Sequence, residues 1–158
     1  MGAKNGKPRK YDKKAFESTL VSWDTSANIY ESMLLSPAWI DLTANQQRLY
    51  LYCKAQYYAE AKRPNTWESF WFTMNRAKWC SKYKLYASTN QAGFQRDRDA
   101  LINHGFIFVV RNGKLTREKT IYALWDMWRF WKTPAFKVLP GNMSASLLEK
   151  LPKAETTE

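Results

Sequence analysis

A side chain that trades protons near neutrality occurs once among the 158 residues, as His104. A lone imidazole cannot build the His-hydrophobe-His metal site of rolling-circle nickases, so none of the nine tyrosines is expected to be a DNA-cleaving nucleophile. Asp97 and Asp99 stand two apart, about 200° around a helix, and cannot jointly hold a metal. The chain has no GxxxxGK[ST], GxGxxG or GxSxG, so nothing supports ATP, dinucleotide or serine-nucleophile chemistry. No enzyme activity, metal or cofactor is expected, and His104 is read as structural, ending a helix where an imidazolium suits the dipole.

What the side chains can do is recognise a polyanion. Gln91, Gln95 and Arg96 are the candidate base readers, because Gln pairs bidentately with adenine and Arg with guanine in the major groove. Thr89 and Asn90 at the same helix start are placed to bind backbone or base. Arg76, Lys78, Lys82 and Lys84 are assigned to phosphates, and Arg111, Lys114, Arg117 and Lys119 to a wing along the backbone or in a minor groove. Any one of these can equally be a solvated surface charge; it is the set that points to nucleic acid. The charge distribution agrees. Of the formal net charge of +11, residues 1–14 carry six Lys/Arg against one acid, and residues 70–131 carry eleven against four.

These residues need elements to position them. Residues 1–14 are almost without apolar side chains and are expected to form a disordered basic arm, either a solubilising tail or a DNA contact. Residues 15–42 carry apolar side chains without one clean period and read as a leader packing on the core, with Pro37-Ala38-Trp39-Ile40 as a turn that docks Trp39. The capping-box spacing of Thr43 and Gln46 opens a helix over 44–62, with Gln46, Leu49, Tyr50, Cys53 and Tyr57 on one side and Arg48, Lys54 and Lys62 elsewhere. Residues 67–73 favour a short strand. Asn75 caps a helix to about Lys82, with Ala77, Trp79 and Cys80 available to the core. Ser88 and Gln91 repeat the capping-box spacing and open a helix to Asn103, buried along Phe94, Leu101 and Ile102 with Arg98 flanking. Gly105 stands where a left-handed cap belongs. Residues 106–110 and 120–124 read as strands joined by a long loop containing Asn112-Gly113, the length of a wing.

The aromatic cluster Trp125, Trp128, Phe130 and Trp131 has two readings, closure of the core or a homodimer contact. Residues 132–158 are expected to form a partly flexible extension. Cys53 and Cys80 read as reduced thiols. With no apolar run of membrane-spanning length and no apolar signal core, a cytoplasmic protein without membrane contact is expected.

The quoted pattern carries a resemblance. Ser36-Pro37-Ala38-Trp39 before Leu42-Thr43, Gln47-Arg48-Leu49-Tyr50, Phe94-Gln95-Arg96-Asp97-Arg98 with Leu101-Ile102-Asn103-His104-Gly105-Phe106-Ile107, then Asn112-Gly113, Tyr122 and Trp128 form the set. Over residues 36–131 the chain resembles winged helix-turn-helix proteins of plasmids, phages and integrative mobile elements of Gram-positive bacteria, some replication initiators and some regulators. The resemblance implies an α+β, mainly α fold, a winged helix over 43–131 with an N-terminal leader and an aromatic-rich C-terminal extension. It implies sequence-specific binding of double-stranded DNA, with the last helix in the major groove. Larger initiators of this type carry a further domain, so an accessory origin binder or a transcription regulator is the implied role. Two other classes stay open on the residues alone: a module that docks replication or transcription proteins, and a single-stranded DNA or RNA binder that stacks bases on exposed aromatics.

Overall fold

Ser36 is the first residue to organise more than its own turn. The structure, a computed structural model, describes residues 28–58, 71–113 and 118–138. In the first of these stretches Ser36 closes helix α1 (Glu31–Leu34) and opens helix α2 (Pro37–Asp41). Its hydroxyl donates to the Met33 carbonyl at 2.7 Å and accepts the Trp39 N–H at 3.2 Å. The expected turn at Pro37 is therefore a short helix: proline at the first helical position loses no hydrogen bond, because that N–H has no partner in a helix anyway. The docking of Trp39 holds. Its ring meets Tyr50 and Phe106 edge-on, each at 5.8 Å between centroids.

Helix α3 (Ala44–Tyr58) begins with the reciprocal cap its sequence promises. The Thr43 N–H donates to Gln46 Oε1 at 2.9 Å, and the Gln46 N–H reaches Thr43 Oγ1 at 3.5 Å. Leu49, Tyr50 and Cys53 are buried as the periodicity requires. Lys54 is not on a solvated face: it is buried, its ammonium donating to the Asn28 carbonyl and lying 5.7 Å and 5.9 Å from the Tyr30 and Tyr50 rings. Burial lowers its proton affinity, and the ring faces and carbonyl substitute for water around the cation. The Arg63-Pro64-Asn65 stop, the Lys62 end and the start of the 67–73 strand lie outside the described residues.

Strand β1 is Trp71–Thr73. Asn75 caps helix α4 (Arg76–Ser81), accepting the Lys78 N–H at 3.3 Å. Trp79 is wholly buried against Tyr52, Tyr83 and Phe94. Ala77, expected in the core, is exposed.

Helix α5 runs Gln91–Asn103, two residues later than a cap at Ser88 would give. The cap is Asn90, whose Oδ1 accepts the Gly93 N–H at 2.9 Å. Ser88 and Thr89 are taken up in the preceding turn, closed by Asn90 N–H to the Ala87 carbonyl at 2.9 Å. A Cβ at position 93 would lie 2.5 Å from that Oδ1, so the Asn cap depends on glycine there. The far end closes as expected at Gly105, with φ 77°. Its N–H reaches the Ile102 carbonyl at 3.1 Å and the Phe106 N–H the Leu101 carbonyl at 3.0 Å, the paired bonds of a Schellman stop.

Strands β2 (Ile107–Arg111) and β3 (Ile121–Leu124) are antiparallel, with Phe108 opposite Ala123 and Val109 opposite Tyr122, and a register shift between Val109 and Arg111. β1 pairs with the other edge of β3, so the sheet order is β1-β3-β2. The result is a small α+β fold of five helices and a three-stranded antiparallel sheet among the described residues, compatible with a winged-helix layout. α3 and α5 pack together, and α5 leads directly into the sheet.

Most of the aromatic cluster turns inward. A 3-10 turn (Met127–Phe130) buries Met127 and Trp128; Trp128 lies parallel to Phe106 at 6.1 Å, Trp125 meets Phe108 at 5.2 Å, and Phe130 stays exposed. Trp131 stacks on His104 at 4.5 Å, and His104 places Nδ1 2.8 Å from the Ala100 carbonyl and Nε2 2.9 Å from Asp41 Oδ2. Lys132 Nζ lies 3.8 Å from the other Asp41 oxygen. The last turn of α5 is thus tied to α2 and to the segment after the sheet.

The hydrogen bond from His104, helped by Lys132, holds the Asp41 carboxyl below its ordinary 3.8. A carboxyl depressed in the folded state contributes stability above its unfolded value and loses it as the pH falls through the lower folded one. The melting temperature of the native chain is therefore expected to drop more steeply below pH 3.8 than that of Asp41→Asn. Parallel acid profiles would remove Asp41 from this role.

Cys53 is buried and Cys80 half-buried, and both are free thiols. Burial pushes the Cys53 thiol up, away from reactivity at neutral pH. No described helix is long and apolar enough to cross a membrane.

Candidate nucleic-acid interface

Helix α5 has two unlike sides. Phe94, Asp97 and Leu101 are buried, while Gln91, Gln95 and Arg96 are exposed. Gln91 and Gln95 are four residues apart and share a face; Arg96 stands about 100° further round. Thr89 and Asn90 at the same end are exposed too, though the Asn90 side-chain oxygen is occupied by the cap.

Arg96 leaves 74% of its side chain accessible, yet it is not loose. Its Nε lies 3.3 Å from Oδ1 of Asp97, a carboxylate that is wholly buried. That buried charge is surrounded by donors: Gln46 Nε2 reaches Oδ1 at 3.3 Å and the Tyr86 hydroxyl reaches Oδ2 at 2.8 Å. Burial first, and then the Asp97 carboxylate, raise the Tyr86 hydroxyl well above its ordinary range, which keeps it a donor at any physiological pH. Three elements therefore converge on one carboxylate: the start of α3, the connection between α4 and α5, and α5 itself.

Arg98 has a different job. Its Nη2 and Nε lie 2.6 Å and 2.8 Å from Asp99 Oδ1, and its side chain hydrogen-bonds Tyr122, so it braces α5 against β3.

The remaining basic candidates fall into two groups. Lys78 and Lys82 both lie near one ring, with ammonium groups 5.6 Å and 5.8 Å from the Tyr83 centroid. Tyr83 is itself stacked on Tyr52 at 4.0 Å. Lys84 follows directly, exposed and in the left-handed region at φ 49°. The second group lies at the ends of the β2–β3 connection, where Arg111 and Lys119 are exposed and Arg111 Nη2 is 3.6 Å from Glu118. That ion pair half-neutralises Arg111 and weakens its claim on a phosphate. The side chain of Arg76 and all of Lys114 and Arg117 lie outside the described residues.

The sequence rules out Asp97 and Asp99 as a joint metal site and assigns Asp97 no partner of its own. Its signal was present, since 94, 97 and 101 are spaced as one helical stripe and a carboxyl within an apolar stripe needs partners. The partners themselves, Gln46 and Tyr86, are 51 and 11 residues away and carry no local mark. The same is true of the Tyr52–Tyr83 stack.

Compared with protein families, curated proteins and solved structures, the chain matches none.

Proposed function

We propose that this chain is a winged-helix protein that binds double-stranded DNA sequence-specifically, in replication initiation or transcriptional control of a mobile genetic element in the cytoplasm. α5 enters the major groove and the hairpin beyond Arg111 forms the wing. One observation carries the reading: Gln91, Gln95 and Arg96 stand exposed on a helix whose opposite side is bolted to the core by Phe94, Asp97 and Leu101. Base readers on a rigid element lose little conformational freedom on binding. The sheet order and the positive surplus over residues 70–131 support it.

Selection of bound fragments from a random duplex pool tests the proposal, with an enriched motif as the expected result and a palindromic motif as the sign of a homodimer. On the selected site Arg96→Ala is expected to cost about 1–3 kcal/mol, with little loss on random duplex. Equal losses on both would reassign Arg96 to a phosphate.

A second reading, single-stranded DNA or RNA binding, is favoured by the half-buried Tyr83 ring, which has the Lys78 and Lys82 ammonium groups near it and one face already stacked on Tyr52. Competition between duplex, single strand and RNA at one salt concentration separates the two.

A further inference from the structure

We infer that Asp97 is a positioning residue that presets Arg96 for guanine, and that Gln46 and Tyr86 hold Asp97 in that role; this rests on the duplex-binding reading above. An exposed arginine ordinarily samples many rotamers, and immobilising it on a base opposes binding. Here the guanidinium is gripped at Nε, 3.3 Å from a carboxylate that cannot itself move, because Gln46 Nε2 and the Tyr86 hydroxyl fix both its oxygens. Gln46 is immobilised in turn by the Thr43 N–H on its own Oε1.

The choice of nitrogen matters. Guanine presents O6 and N7 as neighbouring acceptors, and the fork that matches them is a pair of N–H groups in the guanidinium plane. With Nε committed to Asp97, the edge left for a base is the one formed by the two terminal amino groups, at the exposed end of a side chain 74% accessible. An arginine oriented in advance discriminates bases. An untethered one serves equally well on any phosphate, so the buried carboxylate converts Arg96 from a generic cation into a reader. Lys at position 96 could not take this role, having neither the Nε donor nor the planar fork.

Two measurements test this. In the free native chain, the Arg96 Nε–H resonance, assigned by its loss in Arg96→Lys, is expected to exchange with solvent at least about tenfold more slowly than that of exposed Arg48, as a hydrogen-bonded donor does. Equal exchange rates overturn the tether without touching the proposal of duplex binding. On the duplex selected by the native chain, Asp97→Asn is expected to reduce the guanine preference at the base read by Arg96 about tenfold, the scale of one well-formed base contact. Binding to random duplex is expected to stay unchanged, and adding Arg96→Ala to Asp97→Asn is expected to cause no further loss of preference. Additive losses, or a full guanine preference in Asp97→Asn, overturn the inference while duplex binding stands. Should Asp97→Asn not fold, Tyr86→Phe keeps the ring, removes one hydrogen bond to Asp97, and is expected to show the same loss of preference at smaller amplitude; unchanged preference there overturns it equally. A native chain that binds no duplex at all removes the functional reading first and this inference with it.

Discussion

Between about 50 and 200 mM salt, the affinity of this chain for duplex DNA is expected to fall roughly a thousandfold. Each lysine or arginine seated on a phosphate releases condensed counterions, and the logarithm of the affinity then falls with the logarithm of the salt at about −0.9 per contact. Six contacts, drawn from Arg76, Lys78, Lys82, Lys84, Arg111, Lys114, Arg117 and Lys119, give a slope steep enough for that loss. Lys78 and Lys82, both beside the Tyr83 ring, are expected to act as a pair on adjacent phosphates. Replacing either by Ala should flatten the slope by about one and weaken cognate and random duplex alike. Arg111, held by Glu118, should change the slope less. Anisotropy titrations over a salt series give these numbers directly. A protein-docking module would show partner binding nearly indifferent to salt and no duplex binding at all.

Gly105→Ala is expected to destabilise the fold by about 3 kcal/mol, more than any surface change. The backbone here has φ 77°, which a side chain bearing a Cβ adopts only at a cost of about 1–2 kcal/mol. Space adds to the strain. The added Cβ would lie 2.7 Å from the Trp128 nitrogen and 2.8 Å from the Met127 carbonyl carbon, backbone atoms that no rotamer can move aside. The Trp128 N–H also donates to the Gly105 carbonyl at 3.1 Å, so the clash would push apart a pair that the fold hydrogen-bonds. Trp128 would shift off Phe106, opening the aromatic layer under the sheet. Chemical denaturation of the variant measures the loss. A change under about 0.5 kcal/mol, the scale of an ordinary surface substitution, would show that the 3-10 turn can retreat freely.

What could be seen from the sequence was whatever local chemistry determines. Thr43 with Gln46, Asn75 before α4 and Gly105 after α5 are decided within four or five residues, and each took the role its neighbours allow. The Ser88 cap failed for a local reason as well: Asn90 competes two residues later, and glycine at 93 gives its side chain the room. Periodicity located Leu49, Tyr50, Cys53, Phe94 and Leu101 but could not say what a polar residue on the same stripe would meet. The helical period puts Lys54 off the core side and shows no donors for Asp97, because Asn28, Gln46 and Tyr86 come from other elements. Exposure of Gln95 and Arg96 followed from the helical period; the tether on Arg96 did not.

The sheet order holds a consequence for how the chain comes to be folded. β3 is last of the three strands in sequence but lies between the other two, so β1 and β2 have no ladder to join until residues 121–124 are present. During synthesis the helices can gather first, while the sheet waits for its middle member and then closes on both sides at once. A nascent chain released before that point would carry two orphaned strand edges, Trp71–Thr73 and Ile107–Arg111, open to pairing with a neighbour.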